Sequence, residues 1–384
     1  YAGNGVKFVS LYKNITYLEA AFEIAYEFGL ITYDEYRRYY RRKYDELYVK
    51  KIESRYSQNQ KKRVVRKKVN PVIIHNVYQC MKDCCSLSEH HRLSLIRDRK
   101  ISLERIEQDY FTCPTNWRQK DTIIARIKEK YPAYTDEILM NIPGFFYDKK
   151  RGKLSFTGHK GLGILIRNSD SRIVAIQIRK DTIQEGDSRY IWFSSSFATY
   201  NPDEYNGGNG CGSPKDVCYP QMLKKHTLCI TEGRFKSEKL TESGNISISV
   251  QGVTSWHGIE ETIKHMKGIH NVFIFFDADI LGKHVLFMQS EKMIRKIQDE
   301  FPGLYIRYAF WSKKNGKGID DCIIAGNISK VKYYEAKRAA EICNDAYTHA
   351  LGEYHVANLR ELKQERAKEF EDYLQILTES MLGL

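Results

Sequence analysis

The chain has 384 residues, of which 61 are Lys or Arg and 48 are Asp or Glu, so its formal net charge is +13. This excess of positive charge favours a polyanionic partner, with nucleic acid first and an anionic membrane surface second. No run of about 18 apolar residues is present, so the sequence predicts no membrane-spanning helix. Nine cysteines at irregular spacing predict free thiols in a reducing cytosol, which indicates a cytoplasmic protein.

The first segment, residues 3–31, predicts a strand or short turn followed by an amphipathic helix. The apolar stripe of that helix is expected to contain Leu18, Ala21, Ile24 and Ala25. A basic run with interleaved tyrosines follows at 36–68. It is either a solvated helix with a linker or an arm that follows the phosphates of a nucleic acid.

In the middle of the chain, the spacing of apolar residues changes from a helical to a strand pattern. Residues 71–150 predict a compact helical region with Ser88 and Ser102 as helix N-caps, and with a turn at 141–148. Residues 162–195 predict two β runs around a polar turn at 168–172, and 188–196 predicts a third. A Gly-rich loop is expected at 206–214.

From about residue 226, apolar strands alternate with helical segments. Such alternation predicts βαβ units and a parallel sheet that is covered on both faces. The tail, 328–384, predicts helices. The expected strands lie at 227–231, 246–250, 271–276 and 304–310.

Acidic residues follow several of these strands. Glu232 comes directly after the first, where an isolated acid could equally cap the next helix. Asp277 and Asp279 follow the third, and residues two apart on extended backbone point the same way. Ligands of open parallel sheets bind at the carboxyl ends of the strands, so we expect three converging carboxylates. Their mutual repulsion requires a cation, and oxygen ligands favour Mg²⁺ or Mn²⁺.

Two further acids, Asp320 and Asp321, follow the fourth strand, and Lys317 lies nearby. Together with the earlier acids they predict a metal-dependent phosphoryl-transfer site. Two ions about 4 Å apart can activate an attacking hydroxyl and stabilise the leaving oxygen.

Basic and aromatic residues precede this region. Arg167, Arg179 and Arg189 lie at the ends of β runs, where they are either exposed strand charges or groups that hold phosphates. Tyr190 and Trp192 either stack on the bases of a single strand or belong to the core.

A second candidate metal site consists of thiols near two histidines. Its spacing matches no zinc ribbon or zinc finger, so structural thiols on a helix are the favoured interpretation. No GxxxxGK[ST] pattern occurs in the sequence, so we expect no P-loop ATPase in this chain. The thiols and histidines are Cys80, Cys84, Cys85, His90 and His91.

Four segments together resemble the Toprim fold: "ITEGRFKSEKL", "GVTSW", "VFIFFDADI" and "GKGIDDCI". This version is similar to the Toprim domains of replication proteins from plasmids, phages and mobile elements, which are relatives of the bacterial DnaG-type primase. "GLGILIRNSDSRIVAIQIR" and "RYIWFSS" resemble the basic β-rich part of the primase core, and residues 86–111 resemble the helical segment that precedes it. The resemblance extends over roughly residues 86–326.

The resemblance also reaches the start of the chain, which is similar to the tail of the primase zinc ribbon and the helix after it. Zinc is therefore expected only if a ribbon lies upstream of this sequence. In the family, a basic residue and a tyrosine precede the product-strand contacts, and Arg189 and Tyr190 occupy those positions.

The implied fold class is α/β: a Toprim parallel sheet preceded by a basic β-rich primase-core subdomain, with helical N- and C-terminal extensions. The implied organisation places the ribbon tail and helix at 1–35 and a basic linker or arm at 36–70. The remaining regions are a helical subdomain at 71–150, the β-rich subdomain at 151–225, the Toprim domain at 226–327 and a C-terminal helical segment at 328–384.

The implied function is that of a DNA primase, which makes short RNA primers on single-stranded DNA by two-metal nucleotidyl transfer in mobile-element or phage replication. NTPs, the template and a replicative helicase are the expected partners. Rival interpretations are a Toprim nuclease with water as nucleophile, a topoisomerase, and a non-catalytic DNA-binding replication module. The expected catalytic residues and Mg²⁺ or Mn²⁺ ligands are Glu232, Asp277, Asp279 and Asp320, with Asp321 as a further ligand. The expected nucleotide- or template-binding residues are Arg167, Arg179, Arg189, Tyr190, Arg234, Lys236 and Lys317.

Overall fold

The computed structural model has two units, Tyr1–Val65 and Arg66–Leu384. Of the basic run at 36–68, all but residue 68 lies outside the described residues, so the interpretation of that run stays a prediction. The structure describes residues 5–13, 17–32, 35, 68–184, 187–224, 226–359, 362 and 364–384.

The first unit contains two described helices, α1 (Gly5–Tyr12) and α2 (Tyr17–Glu27). The expected strand or turn at its start is therefore wrong, because this segment forms a helix that packs against α2. The buried face of α2 is also shifted from the predicted stripe. Glu19 and Ala20 are buried, whereas Leu18 is exposed.

The second unit begins with helices. Ser88 Oγ accepts from the His91 amide and Ser102 Oγ accepts from the Arg105 amide, so both predicted N-caps are confirmed. A π-helical turn, Ser94–Asp98, continues the second helix. The helices are α3 (Pro71–Asp83), α4 (Glu89–Leu93), α5 (Leu103–Asp109), α6 (Trp117–Lys130) and α7 (Asp136–Leu139).

Strand β1 (Tyr110–Thr112) interrupts these helices and joins an antiparallel sheet in the order β1-β4-β5-β6. The polar turn between β4 and β5 is confirmed: Asn168 Oδ1 accepts from the amides of Asp170 and Arg172. The other strands are β4 (Gly161–Arg167), β5 (Ile173–Lys180) and β6 (Tyr190–Trp192).

A smaller sheet has the order β3-β2-β7. Its strand β2 (Phe145–Asp148) lies in the segment that was expected to be a turn. The turn ends earlier because Phe145 and Phe146 are buried and their backbone pairs with a neighbouring strand. The neighbours are β3 (Lys153–Phe156), β7 (Tyr205–Asn206) and a short helix, α8 (Ser196–Tyr200).

The largest described sheet has the order β13-β12-β11-β9-β10-β8. Its four central strands pair in parallel, as the alternation of strands and helices predicts, while both edge strands are antiparallel. The strands are β8 (Asp216–Cys218), β9 (Thr227–Thr231), β10 (Ile246–Ser249), β11 (Asn271–Phe275), β12 (Tyr305–Phe310) and β13 (Lys332–Glu335).

Helices cover this sheet on both faces, so its central strands are buried on both sides. Leu228 and Ile230 of β9 belong to one apolar core and Cys229 to another, in keeping with the period of two along a strand. The connecting helices are α9 (Arg234–Thr241), α10 (Ile259–Lys264), α11 (His284–Glu300) and α12 (Ile319–Ile324).

The tail is helical over α13 (Ala336–Glu353) and α14 (Gln364–Met381). The expectation of helices alone is wrong for β13, because this segment pairs with the open edge of β12 and satisfies its backbone groups. Along the described part of the chain, no helix is both long and apolar enough to cross a membrane.

Candidate active site

Two of the predicted acids meet at the ends of neighbouring parallel strands. β9 and β11 pair with Thr231 opposite Phe275, so the residues that follow them emerge side by side. The Asp277 amide donates a hydrogen bond to Glu232 Oε1 at 3.0 Å. Glu232 therefore does not cap α9, whose N-cap is Gly233 and has no side-chain cap bond.

Three lysines surround these acids. Lys236 Nζ contacts Asp277 Oδ1 and lies 4.0 Å from Glu232 Oε2. Lys317 Nζ lies 4.0 Å from Asp277 Oδ2 and 3.7 Å from Asp279 Oδ2. Lys283 Nζ donates to Asp279 Oδ2 at 2.8 Å. The acids are thus neutralised by ammonium groups from three different segments.

Asp320 and Asp321 lie at the start of α12. Arg99 Nη1 donates to Asp320 Oδ2 at 3.0 Å, and Asp321 Oδ2 accepts from the Gly318 amide at 3.1 Å. A Cβ added at Gly318 would overlap Asp320 Oδ1 and the Lys236 side chain, and would lie 3.5 Å from Asp277 Oδ1. Only glycine permits this approach, which brings Asp320 and Asp277 to the same backbone position.

These groups line an open cleft of about 500 Å³. One wall comes from the sheet ends, and the facing wall comes from the antiparallel sheet through Arg189, Tyr190 and Trp192. Asp279 does not line the cleft itself but is connected to it through Lys317. The acids of the first wall are Glu232, Asp277, Asp320 and Asp321.

The electrostatics of the cleft reflect this crowding. Burial raises the pKa of Glu232, and the Asp277 and Asp279 charges add to that effect while Lys236 opposes it. Burial also raises the pKa of Asp320, with the charge of Asp321 acting in the same direction. Burial tends to lower the pKa of Lys236, but Glu232 and Asp277 outweigh it and raise that pKa. The acids and Lys236 therefore depend on one another for their charge.

Whether these residues fit a divalent ion depends on donor chemistry and arrangement. Among the described residues, no three His, Cys, Asp or Glu side chains are already arranged as a metal-binding group. The donors are nonetheless carboxylate oxygens, the type that Mg²⁺ and Mn²⁺ prefer. Asp277 Oδ1 is buried and has no hydrogen bond of good geometry despite its contact with Lys236. The donor set fits a hard divalent ion that would replace a lysine at this oxygen.

The structure brings some of the predicted basic and aromatic residues to the cleft. Arg189, Tyr190, Lys236 and Lys317 line it. Arg179 pairs with Tyr190 across β5 and β6, and its buried Nε has no hydrogen-bond partner. Burial raises the pKa of Tyr190, so its hydroxyl keeps its proton.

Two predicted ligand-binding arginines have a different environment. The Arg234 side chain is buried and donates to Glu238 at 2.8 Å, to Asp216 at 3.1 Å and to Asp109. Arg167 donates to Asp109 at 2.8 Å. Buried carboxylates bind both guanidinium groups, and Arg234 also lines the cleft, so their contact with nucleotide or template stays a prediction.

Sequence reasoning missed two cations. Arg99 reaches Asp320 across 221 positions of the chain and packs over the Phe235 ring at 5.0 Å, and no local pattern signals such a contact. Lys283 follows Asp279 by four positions, a spacing at which opposite charges meet on a helical turn. That spacing was a signal in the sequence.

Cys80, Cys84 and Cys85 lie at the end of α3 and form no disulfide. Their interpretation as structural thiols stays a prediction. Burial raises the pKa of Cys80 to about 11 and that of Cys85 to about 12, which keeps these two thiols protonated.

Comparison with known proteins gives one family and a shared fold. Residues 219–329 match a family described as a domain of unknown function, DUF3854. No curated protein matches the sequence. The structure is similar to the RNA polymerase domain of Mycobacterium tuberculosis primase DnaG, with 14% identity and a TM-score of 0.50, over 79% of this chain and 97% of that one.

Two other solved structures match with similar TM-scores. The zinc-binding and RNA polymerase domains of Aquifex aeolicus primase match at 14% identity and a TM-score of 0.47, over 99% of this chain and 84% of that one. A DNA primase domain from Pseudomonas aeruginosa matches at 14% identity and a TM-score of 0.46, over 79% and 99%. The chain thus has a mixed α/β fold similar to bacterial DnaG-type primase core domains.

Proposed function

We propose that this chain is a DNA primase of the Toprim type, which synthesises short RNA primers on single-stranded DNA. The observation that carries the proposal is the hydrogen-bonded pair of Glu232 and Asp277 at adjacent parallel strand ends, with Asp320 beside them in one cleft. The shared fold with a DnaG-type polymerase domain supports it. The four motif segments resemble replication proteins of plasmids, phages and mobile elements. On that resemblance we propose that the chain acts in mobile-element or phage DNA replication.

In this proposal the acids would hold two Mg²⁺ or Mn²⁺ ions, which when bound lower the pKa of the primer 3′-hydroxyl and neutralise the triphosphate. Lys236 and Lys317 now balance the carboxylates. Once an ion replaces them there, their ammonium groups are free to bind phosphate oxygens of the incoming NTP. The ligands would be Glu232, Asp277, Asp279 and Asp320, with Asp321 next to them.

The facing wall suits the nucleic acid. Arg189 lines the cleft and Arg179 is half-buried beside Tyr190, so both guanidinium groups supply positive charge for phosphates. Tyr190 and Trp192 present rings on which bases can stack. We propose the single-stranded template and the NTPs as ligands, a replicative helicase as the partner, and the cytoplasm as the location.

One assay tests the proposal. Single-stranded DNA is incubated with labelled NTPs and Mg²⁺ or Mn²⁺, and products are sized on a gel, with dNTPs as a parallel arm. Short RNA products that require template, divalent ion and intact Asp277 are the expected result. If the wild type only hydrolyses DNA and never incorporates NTPs, the same carboxylates serve a nuclease with water as nucleophile. If it binds DNA without either reaction, it is a binding module.

A further inference from the structure

The C-terminal helix α14 holds the turn that carries Asp279. The Gln375 side-chain amide accepts from the Gly282 N–H at 2.8 Å and donates to the Ala278 carbonyl at 3.0 Å. Ala278 and Gly282 are the first and last residues of the short 3₁₀ helix that follows Asp277. One side chain thus bonds to both ends of the turn.

The contact is buried and close. Gln375 is 8% exposed, and its Nε2 also donates to Glu379 Oε1 at 2.8 Å. Thr378, one residue before Glu379, is fully buried; its hydroxyl donates to the Leu374 carbonyl at 2.7 Å and lies 3.5 Å from the Leu281 carbonyl oxygen. A Cβ at Gly282 would lie 2.5 Å from the Glu371 carbonyl oxygen, so helix and turn meet without intervening space.

Helix α14 also forms hydrogen bonds with the loop at residues 311–318, which precedes Asp320 and Asp321. Glu379 accepts from Ser312 Oγ at 2.7 Å and from the Lys313 amide at 3.0 Å. This loop contains Lys317, whose carbonyl accepts from the Ala278 amide at 2.9 Å. The two loops that bear Asp279 and Lys317 are therefore bonded to each other and to one face of α14.

Among the described residues, none from α14 lines the cleft, so the helix acts on it only through these loops. The helix also lies outside the residues that match the DUF3854 family, 219–329.

We propose that Gln375 is a positioning residue for the divalent-ion site: it fixes the turn so that Asp279 is held next to Asp277 and Lys317. This inference rests on the proposed function for its metal. Without the two hydrogen bonds, the turn would shift and Asp279 would remain paired with Lys283, four positions on. Loss of a residue that orients metal ligands typically weakens metal affinity by about 10- to 100-fold.

The test uses Gln375→Met, which keeps length and volume but forms neither hydrogen bond, with Ile376→Ala as the matched control because that neighbour is 69% exposed. Mn²⁺ binding is measured by electron paramagnetic resonance without nucleotide, and amide hydrogen exchange is followed at residues 278–282. We expect Mn²⁺ affinity to fall about tenfold or more and exchange to accelerate in Gln375→Met alone. Excess Mn²⁺ should restore primer synthesis, with template affinity unchanged.

Gln375→Glu serves as a second variant and covers the case in which Gln375→Met does not fold. The introduced carboxyl can accept from Gly282 at any protonation state but can donate to Ala278 only when protonated. Its Mn²⁺ affinity should therefore approach the wild-type value measured at the same pH as the pH is lowered.

The outcomes separate the two proposals. Unchanged Mn²⁺ affinity and unchanged exchange in a folded Gln375 variant overturn the positioning role, even if primers are made. Weakened Mn²⁺ binding in a wild type that makes no primers supports the positioning role and overturns the primase function. A wild type that binds no Mn²⁺ overturns the positioning role as stated.

Discussion

The backbone amide of Asp277 donates a 3.0 Å hydrogen bond to Glu232 Oε1, and this bond links the ends of two neighbouring parallel strands. The bond holds two carboxylates close together, although like charges repel. Lys236 compensates by contacting Asp277 and lying near Glu232. In the cleft, lysine ammonium groups therefore lie beside the carboxylates at positions that we assign to metal ions.

The first prediction concerns Asp277→Asn. We expect primer synthesis to fall by about a thousandfold or more, because the carboxylate would act through the metal ions. Template binding should stay nearly intact, since the residue does not contact DNA phosphates in the proposal. Folding should not suffer, because the repulsion with Glu232 falls and Lys236 keeps Glu232 as a partner.

Primer gels and fluorescence anisotropy on the same single-stranded template measure both effects. Asp299→Asn, at an exposed position on α11, is the control with the same change in charge. Wild-type synthesis by the Asp277→Asn protein would refute the assignment of this site.

The second prediction concerns Arg179→Ala. Arg179 is half-buried, and its charge acts on Tyr190 of the cleft wall, so we expect its guanidinium group to contribute to phosphate binding. Its removal should weaken nucleotide or template binding by about tenfold or more, the usual loss for a hydrogen bond to a charged group. Fluorescence anisotropy measures template binding, and the NTP concentration that gives half-maximal synthesis measures nucleotide binding. Unchanged values for both would assign Arg179 to the structure of the sheet alone.

The sequence predicts the four central strands of the large sheet, their parallel pairing and the acids after them, because these depend on local period. The strand order and the two antiparallel edge strands were not predicted, because they depend on pairing between distant segments. The strands alternate with helices as predicted, and Asp277 follows β11 directly after Phe276. The expectation of extended backbone at Asp279 is wrong, because Ala278–Gly282 form a 3₁₀ helix and Asp279 does not line the cleft.

The burial of Arg234 could not be predicted from the sequence, because it depends on carboxylates from distant segments, Asp109 and Asp216. The contact of Arg99 with Asp320 could not be predicted from the sequence either, because it depends on packing between distant segments.

The third prediction follows from the buried environment of Arg234. Arg234→Met should lower the free energy of unfolding by about 3–5 kcal/mol, because Asp109, Asp216 and Glu238 lose the charge that compensates them. Urea unfolding followed by circular dichroism measures the change. Arg295→Met is the control, since that exposed arginine pairs with Glu291 only at 3.8 Å. A variant with wild-type stability and weakened nucleotide binding would support the ligand-binding role that the sequence suggested.

The fourth prediction concerns DNA binding and the basic run at 36–68. With a net charge of +13, the logarithm of the affinity for single-stranded DNA should fall linearly with the logarithm of salt concentration. Deletion of 36–68 should weaken binding and reduce the slope, because fewer counterions are released. Anisotropy titrations across a salt series supply both values. If the deletion leaves affinity and slope unchanged, the run is a linker.

The fifth prediction is a pH dependence of stability from His284. Its ring is buried at the start of α11 and stacks on Tyr347 with 3.6 Å between the centroids. Burial lowers the pKa of His284 to about 4, whereas an unfolded histidine titrates near about 6.5. Between these values the unfolded state binds a proton that the folded state does not, so the free energy of unfolding falls as the pH is lowered through this window.

The loss from His284 should approach about 3 kcal/mol at the acidic end and be absent above about pH 7. His284→Phe keeps an aromatic ring against Tyr347 but cannot titrate, so the difference in stability between wild type and variant isolates this one group from the many carboxylates that titrate nearby. His349→Phe, at an exposed position on α13, is the matched control and should follow the wild type. Urea unfolding at a series of pH values gives the three curves. If the His284→Phe curve runs parallel to that of the wild type between about pH 7 and pH 4, the histidine is protonated in the folded protein and its buried, neutral state is refuted.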